Sequence, residues 1–498
     1  MKPYQILTFL ISVFLVLFIM AALLPDNGLK IGDRFSLNFV KPEEFFTEDT
    51  VKYADISGII GNSKAVDEIP TTAVSTVIPE PQASPDTLVH ADTIRASADS
   101  LKKITHLIEL PPANPNLLYP FFRQVSRLGK DRQLVRVLHY GDSQIEADRM
   151  TSYIRHKLQV KFGGSGCGMI PVVPLYNGKL SIKQAFSGAW DRYTGFAHRD
   201  TTLKHKRYGA LFTFSKFRVS DTLKGSTAAV SFSPSPLGYR SSRSFNRFSV
   251  FIGGRPENTR MDVFAGDSLI DSLTITPQRM YHEYTWTTPS TPEQFRLTFT
   301  GQGSPEIYGI TLDNDWGIAV DNIPLRGSSG LVFSKVDTLF LKKMYQDLNV
   351  GMILLQFGGN VIPYLTKDYD YYEHLFKREL GVIRRMLPGV PVVVIGPSDM
   401  SKKENGKYVT YSNLEPVRDA LEKAALESGC AFWDMYEAMG GRNSMPSWVF
   451  AEPPLAVSDF VHFNTRGARI VAEMFYNAFI YEYDRWLQNS HHYAENRH

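Results

Sequence analysis

The chain has 498 residues, of which 43% are hydrophobic, with 54 Lys plus Arg against 51 Asp plus Glu and a formal net charge of +3. Without a basic excess or a basic run, composition argues against a nucleic-acid partner. No Cys/His cluster has the spacing of a metal site. The two cysteines, Cys167 and Cys430, are too few for a disulfide framework. Outside the cytoplasm the two could pair, the sequence leaving open whether they meet, and Cys430, in the apolar run CAFW, reads as an inert core thiol.

From the N-terminus, Gln5–Leu24 carries no charged side chain and has the length of one membrane crossing, about 20 residues. Lys2 precedes it, so the positive-inside tendency places everything after the span outside the cytoplasm. The run is longer than a signal-peptide core and no A-x-A site follows, so an uncleaved anchor over 1–30 is expected. Residues 31–100 are expected to hold a membrane-proximal segment and then a linker. From Gly61 to about Ser100 the chain is rich in Pro, Ser, Thr and Ala without periodicity, which reads as a tether.

A short helix is expected over Pro120–Arg127, then a buried strand at Val135–Tyr140. Gly141-Asp142-Ser143 breaks that strand. From Gln144 apolar residues recur at helical spacing through Leu158, and Gly163-Gly164 stop the helix. Ser143 is therefore expected where a strand gives way to a helix, with unpaired backbone N–H groups around it. Negative charge is favoured there, as a nucleophile that must stabilise an oxyanion requires. Helix capping is the alternative use of such a serine. Gly163–Gly168 lacks the Gly-Lys-Ser/Thr of a phosphate loop and reads as a mobile loop near the site. His139 and His156 read as a buried strand histidine and a surface helix histidine.

From Lys179 to Asp315 the texture changes. Short runs rich in aromatic and β-branched residues alternate with Gly, Pro, Ser and Asn, the pattern of an antiparallel β-sandwich or jelly roll inserted in the surrounding domain. Its aromatic residues, among them Trp190, Tyr193, Tyr208, Tyr281 and Trp286, are candidates either for the sandwich core or for stacking on sugar rings.

Beyond the insertion, Gly317–Gly330 reads as strand then loop. Thr338–Leu348 reads as a helix, and Met352–Phe357 as a strand ending in Gly358-Gly359-Asn360. Tyr371–Leu387, Pro391–Ile395, Leu414–Ser428 and Cys430–Met435 follow as helix, strand, helix and strand. Strands separated by helices imply a parallel sheet covered on both faces, with ligands bound beyond the carboxyl ends of the strands. Asp399 reads as a loop residue. Near the C-terminus, Asp459 and His462 stand three residues apart ahead of a final helix. That spacing lets the carboxylate hold one imidazole nitrogen while the other faces a serine.

A Ser in a G-D-S block, a Gly in a second block, an Asn in a G-x-N block and an Asp-x-x-His near the C-terminus occur here in that order. In this the chain resembles the SGNH hydrolases, the GDS-type esterase superfamily. The resemblance implies an α/β, flavodoxin-like parallel sheet with the hydrolase domain split into 101–178 and 316–490 around the insertion at 179–315. It implies Ser143, His462 and Asp459 as the catalytic residues, and Asn360 with Gly327 as oxyanion donors; Gly330 is a rival for the glycine. Asp142, Gly359 and Trp190 are candidate substrate contacts. The inserted sandwich resembles the carbohydrate-binding-like module of peptidoglycan O-acetylesterases in that superfamily. The implied activity is removal of O-acetyl groups from an extracytoplasmic glycan, with transfer of acetyl groups onto such a glycan as the alternative. The implied partners are an acetylated cell-wall or envelope glycan and the membrane, with no cofactor.

Overall fold

The computed structural model describes residues 3–23, 29–31, 35–37, 51–63, 105–176, 178–196, 200, 202–219 and 226–495. The tether expected after Gly61 lies outside the described residues, apart from 61–63. The chain divides into two units, Met1–Lys52 and Tyr53–His498.

In the first unit Pro3–Leu23 is an α-helix whose side chains, described from Tyr4 to Met20, are exposed. Among the described residues no helix is long and apolar enough to cross a membrane, so the expected transmembrane anchor is not shown. Leu29–Ile31 and Phe35–Leu37 pair as an antiparallel hairpin.

The second unit is built on a five-stranded parallel sheet. Its strands are β1 (Leu134–Gly141), β2 (Gly317–Pro324), β3 (Val350–Gln356), β4 (Val392–Ile395) and β5 (Ala431–Trp433), in the order β2-β1-β3-β4-β5. These runs are mostly apolar on both faces because both are covered, with Arg136, His139, Asp321 and Asn322 as buried polar exceptions in β1 and β2. Residues alternate between two cores. Val135, Val137, Met352 and Leu354 face α1 (Thr151–Phe162) and α5 (Thr465–Glu495). Leu138, Tyr140, Ile353 and Leu355 face α2 (Thr338–Asp347), α3 (Asp370–Met386) and α4 (Leu414–Glu427). The order reverses between β1 and β3, and such a switch point opens a crevice beyond the strand ends.

Two antiparallel sheets of five and six strands are inserted between α1 and β2. Alternation writes them: in Ser226–Pro234 the side chains of Ala228, Val230 and Phe232 point into the core between the sheets. The sandwich begins earlier than expected. Gly166–Ile170, whose first three residues fall in the expected mobile loop Gly163–Gly168, is a buried strand paired antiparallel with Glu306–Asp313. The sandwich and the parallel sheet share one core, in which Phe212, Phe251, Tyr281 and Tyr308 join Tyr140 and Phe340. Cys167 and Cys430 are both buried and free.

The start of the second unit is not tether. Ile56 is buried, Ala54 N–H donates to the Asn443 carbonyl at 3.2 Å, and the Ser63 hydroxyl donates to Glu473 on α5. A hairpin that the sequence reading did not anticipate, Ser401–Glu404 with Lys407–Thr410, follows β4.

Candidate active site

β1 and β3 end side by side, and the Asp142 N–H donates to the Gln356 carbonyl at 3.2 Å. The chain after β1 does not enter an α-helix directly. Ser143–Asp148 is a 3₁₀ turn in which Glu146 is extended and Ala147 and Asp148 have positive φ, and α1 starts only at Thr151. The expected helix from Gln144 is therefore two pieces. The Asp142 carboxylate caps the turn by accepting the Gln144 N–H at 3.0 Å. Ser143 thus sits on a short capped turn, without a long helix behind it to supply a dipole.

Asp459 and His462 lie on the loop before α5. Asp459 Oδ1 accepts the N–H groups of Val461 at 2.9 Å and His462 at 3.0 Å, a local turn that fixes the carboxylate. Its other oxygen, Oδ2, accepts from His462 Nδ1 at 2.7 Å. On the far side of the ring, His462 Nε2 accepts from the Ser143 hydroxyl at 2.8 Å. Burial opposes ionisation of Asp459, but the bonds from the His462 N–H, the imidazole and the Val461 N–H outweigh it. They hold the carboxyl below its ordinary range. Ser143, His462 and Asp459 are in continuous hydrogen-bond contact across 319 residues of sequence, a hydroxyl facing an imidazole that a carboxylate holds.

Two residues absent from the sequence reading tie the serine turn to the histidine loop. Gln144 Nε2 donates to the Val461 carbonyl at 2.6 Å and to Ser398 at 2.9 Å, and its Oε1 accepts the Phe463 N–H at 3.3 Å. Arg149 donates to the carbonyls of Ser143 at 2.6 Å and Phe463 at 2.8 Å. Both were absorbed into a helical pattern in which polar positions read as solvated.

Ser143 and His462 open into a cavity of about 230 Å³, lined also by Asp142, Gly359, Asn360, Pro363, Met400 and Tyr411. Gly358 has φ +117°, and a Cβ there would stand 2.9 Å from Leu421; only glycine turns β3 so that Gly359 and Asn360 face the cavity. The Asn360 amide nitrogen donates to Asp142 Oδ2 at 3.2 Å and to the Ser328 carbonyl at 3.1 Å.

Of the other expected site residues, Gly327 does not line the cavity. The turn closed by Ser328 N–H to the Leu325 carbonyl carries Arg326 and Gly327 outward, and Arg326 pairs with Glu146. The second block reaches the site through Ser328. The Gly330 N–H is taken by the Ser328 hydroxyl at 3.0 Å. Trp190 also stays away from the cavity: it packs edge-on against Phe217 and Phe299 of the sandwich and donates to the Ser187 carbonyl. It is partly buried against the sandwich core. The Asp142 carboxylate lines the cavity but is buried and bound to Gln144 and Asn360. Burial pushes it up to about 6 despite those bonds.

His139 is buried in β1 and belongs to a directed chain. Asn322 donates to Thr151 Oγ1 at 2.8 Å, the Thr151 hydroxyl to His139 Nδ1 at 2.9 Å, and His139 Nε2–H to Gln356 Oε1 at 3.1 Å. Burial lowers its pKa to about 4, so the ring stays neutral. His156, on α1, stacks on Tyr239 at 4.5 Å. Asp399 lies on a loop after β4 and is buried there, accepting from Thr410 at 2.8 Å and from the Met445 N–H at 2.7 Å. Among the described residues no group of His, Cys, Asp and Glu could hold a metal ion.

No protein-family model and no curated protein matches the chain. Among solved structures it is similar to a peptidoglycan O-acetylesterase, with a TM-score of 0.59 and 19% identity over 76% of this chain and 99% of that one. It shares that protein's fold. Smaller likenesses, too low to bear on the fold, are to a family two carbohydrate esterase from Cellvibrio japonicus (TM-score 0.21, 9% identity, 61% and 99% covered) and to a family 3 carbohydrate esterase from Talaromyces cellulolyticus (TM-score 0.25, 16% identity, 33% and 72% covered).

Proposed function

We propose that this chain is a serine esterase that removes O-acetyl groups from an extracytoplasmic glycan, peptidoglycan above all. The observation that carries the reading is the continuous relay from Ser143 through His462 to Asp459 at the mouth of the cavity. His462 Nε2 takes the hydroxyl proton as Ser143 Oγ attacks the ester carbonyl. Asp459 holds the Nδ1–H tautomer and stabilises the imidazolium. The sugar hydroxyl leaves with the proton from His462, and Ser143 keeps the acetyl group. Water, deprotonated by His462, then attacks the acyl-serine and frees acetate. The Ser143 N–H and the Asn360 amide are the oxyanion donors, each worth about 3–4 kcal/mol of barrier.

The substrate class is carried over from the peptidoglycan O-acetylesterase whose fold this chain shares. The extracytoplasmic location is part of the same proposal and follows from the substrate class.

The test is acetate release from O-acetylated peptidoglycan by the full chain, with Ser143→Ala as control and a soluble glycan acceptor added in parallel. Serine-dependent free acetate that needs no acceptor is expected. Acetate appearing on the acceptor with little set free would make the protein a transferase. No Ser143-dependent chemistry on either would overturn the reading.

A further inference from the structure

Beside the cavity, the loop that follows Asn360 presents two consecutive large apolar side chains to solvent. Tyr364 is 69% exposed and Leu365 65%. A single exposed leucine needs no explanation, but adjacent large apolar groups on a rigid loop at a site mouth do.

The loop is held firmly. Val361 and Ile362 are buried in the core under it. The Asn413 amide donates to the Ile362 carbonyl at 2.6 Å and to the Tyr369 hydroxyl at 2.5 Å, and the Tyr369 hydroxyl donates to the Tyr364 carbonyl at 2.8 Å. The Tyr364 N–H closes a turn to the Val361 carbonyl at 3.0 Å. Buried polar groups are thus spent on fixing a segment whose own side chains stay outside. Pro363, between the buried and the exposed parts, lines the cavity itself, so the presented surface continues the wall of the site.

We infer that Tyr364 and Leu365 form a platform for a sugar ring of the substrate next to the one that bears the ester. A pyranose has an apolar C–H face that lies on an aromatic ring and hydroxyls at its edge. Lys367 and Asp368, both exposed, follow closely and offer polar groups beside it, while the Thr366 hydroxyl donates to the Asp368 carbonyl at 2.6 Å. A patch two side chains wide matches one ring and is far smaller than a lipid surface would need. The platform adds affinity for a chain of sugars and leaves the chemistry at Ser143 untouched.

This inference rests on the glycan reading above, and one experiment separates the two. The full chain and its variants Tyr364→Ala, Tyr364→Phe and Leu365→Ser are compared on 4-nitrophenyl acetate and on soluble O-acetylated peptidoglycan fragments of two and four sugars. The ratio of kcat/KM on the four-sugar fragment to that on the small ester is expected to fall about tenfold in Tyr364→Ala, mostly through KM. It falls less in Leu365→Ser and stays near the wild-type value in Tyr364→Phe. A wild type that hydrolyses the fragments, with the ratio unchanged in Tyr364→Ala, overturns the platform and leaves the esterase standing. Equal loss on both substrates also overturns it, since that is damage to the site. A wild type inactive on every fragment but active on the small ester takes down the glycan reading and the platform with it.

Discussion

Asn360 donates to Asp142: the amide nitrogen lies 3.2 Å from a carboxylate that is itself buried, and its second hydrogen goes to the Ser328 carbonyl. The amide we propose as an oxyanion donor is therefore aimed by a neighbour that caps the Ser143 turn with its other oxygen. One carboxylate sets both the serine backbone and the amide. A developing oxyanion competes with Asp142 for an amide hydrogen already in place.

Asp142→Asn tests that coupling. The new side chain can accept from the Gln144 N–H or from Asn360, but not from both with the same oxygen. We expect kcat on a small ester to fall ten- to a hundredfold, about 1.4–2.7 kcal/mol, with KM little changed. Unaltered kcat would mean that Asn360 is oriented by Ser328 alone.

The same variant has a stability signature of fixed sign. The folded pKa of Asp142, about 6, lies above the 3.8 of an ordinary aspartate, because burial penalises the charge. Between those values the folded protein binds more protons than the unfolded one, so the cost of the buried charge is fully present above about pH 6 and fades as pH falls toward 3.8. Asp142→Asn should therefore gain on the wild type at pH 8 relative to pH 4.5, by roughly 2 kcal/mol in urea unfolding. A variant more stable but less active at pH 8 would mark Asp142 as a residue kept for function.

Much of this site was legible in the sequence, and its failures share a cause. Ser143, Asp459 and His462 stood out because an apolar strand, a sharp break and a three-residue spacing are local signals. The α1 boundary was missed because Ile145 and Met150 are buried just as helical residues would be, although the turn between them is left-handed at Ala147 and Asp148. Burial pattern alone does not distinguish the two. Gly166–Gly168 read as loop because glycines carry no pattern. Yet a Cβ on Gly166 would stand 2.1 Å from the Leu312 carbonyl, and that close strand approach lies 146 residues away in sequence. Gln144 and Arg149 act through backbone atoms near residue 460, which no local spacing encodes.

Gln144→Leu asks how much that long-range tie contributes. It removes two hydrogen bonds between the serine turn and the histidine loop and a third to Ser398, leaving the Phe463 N–H without its side-chain partner. A loss of about 1–3 kcal/mol in unfolding free energy is expected, with kcat reduced about tenfold as the Ser143–His462 contact loosens. Lost stability with unchanged kcat would restrict Gln144 to holding the fold.

His139 gives a pH prediction of the opposite sign. Its folded pKa, about 4, lies below the 6.5 of an ordinary histidine. Between those values the unfolded chain binds the extra proton, so stability is fully present above about pH 6.5 and is lost as pH falls toward 4. Asp142 offsets part of this, and so does Asp399, also raised to about 6 by burial; the wild-type acid profile is a sum of opposed effects. His139→Met isolates one of them. At pH 7 it should cost about 1–3 kcal/mol, because the Gln356 side-chain Oε1 loses its donor and the Thr151 hydroxyl its acceptor. From pH 7 to pH 5 the wild type should lose about 2 kcal/mol more than the variant does, read as the difference between two urea titrations. Parallel losses in the two proteins would show that the ring takes up a proton as readily folded as unfolded, against its burial between Thr151 and Gln356.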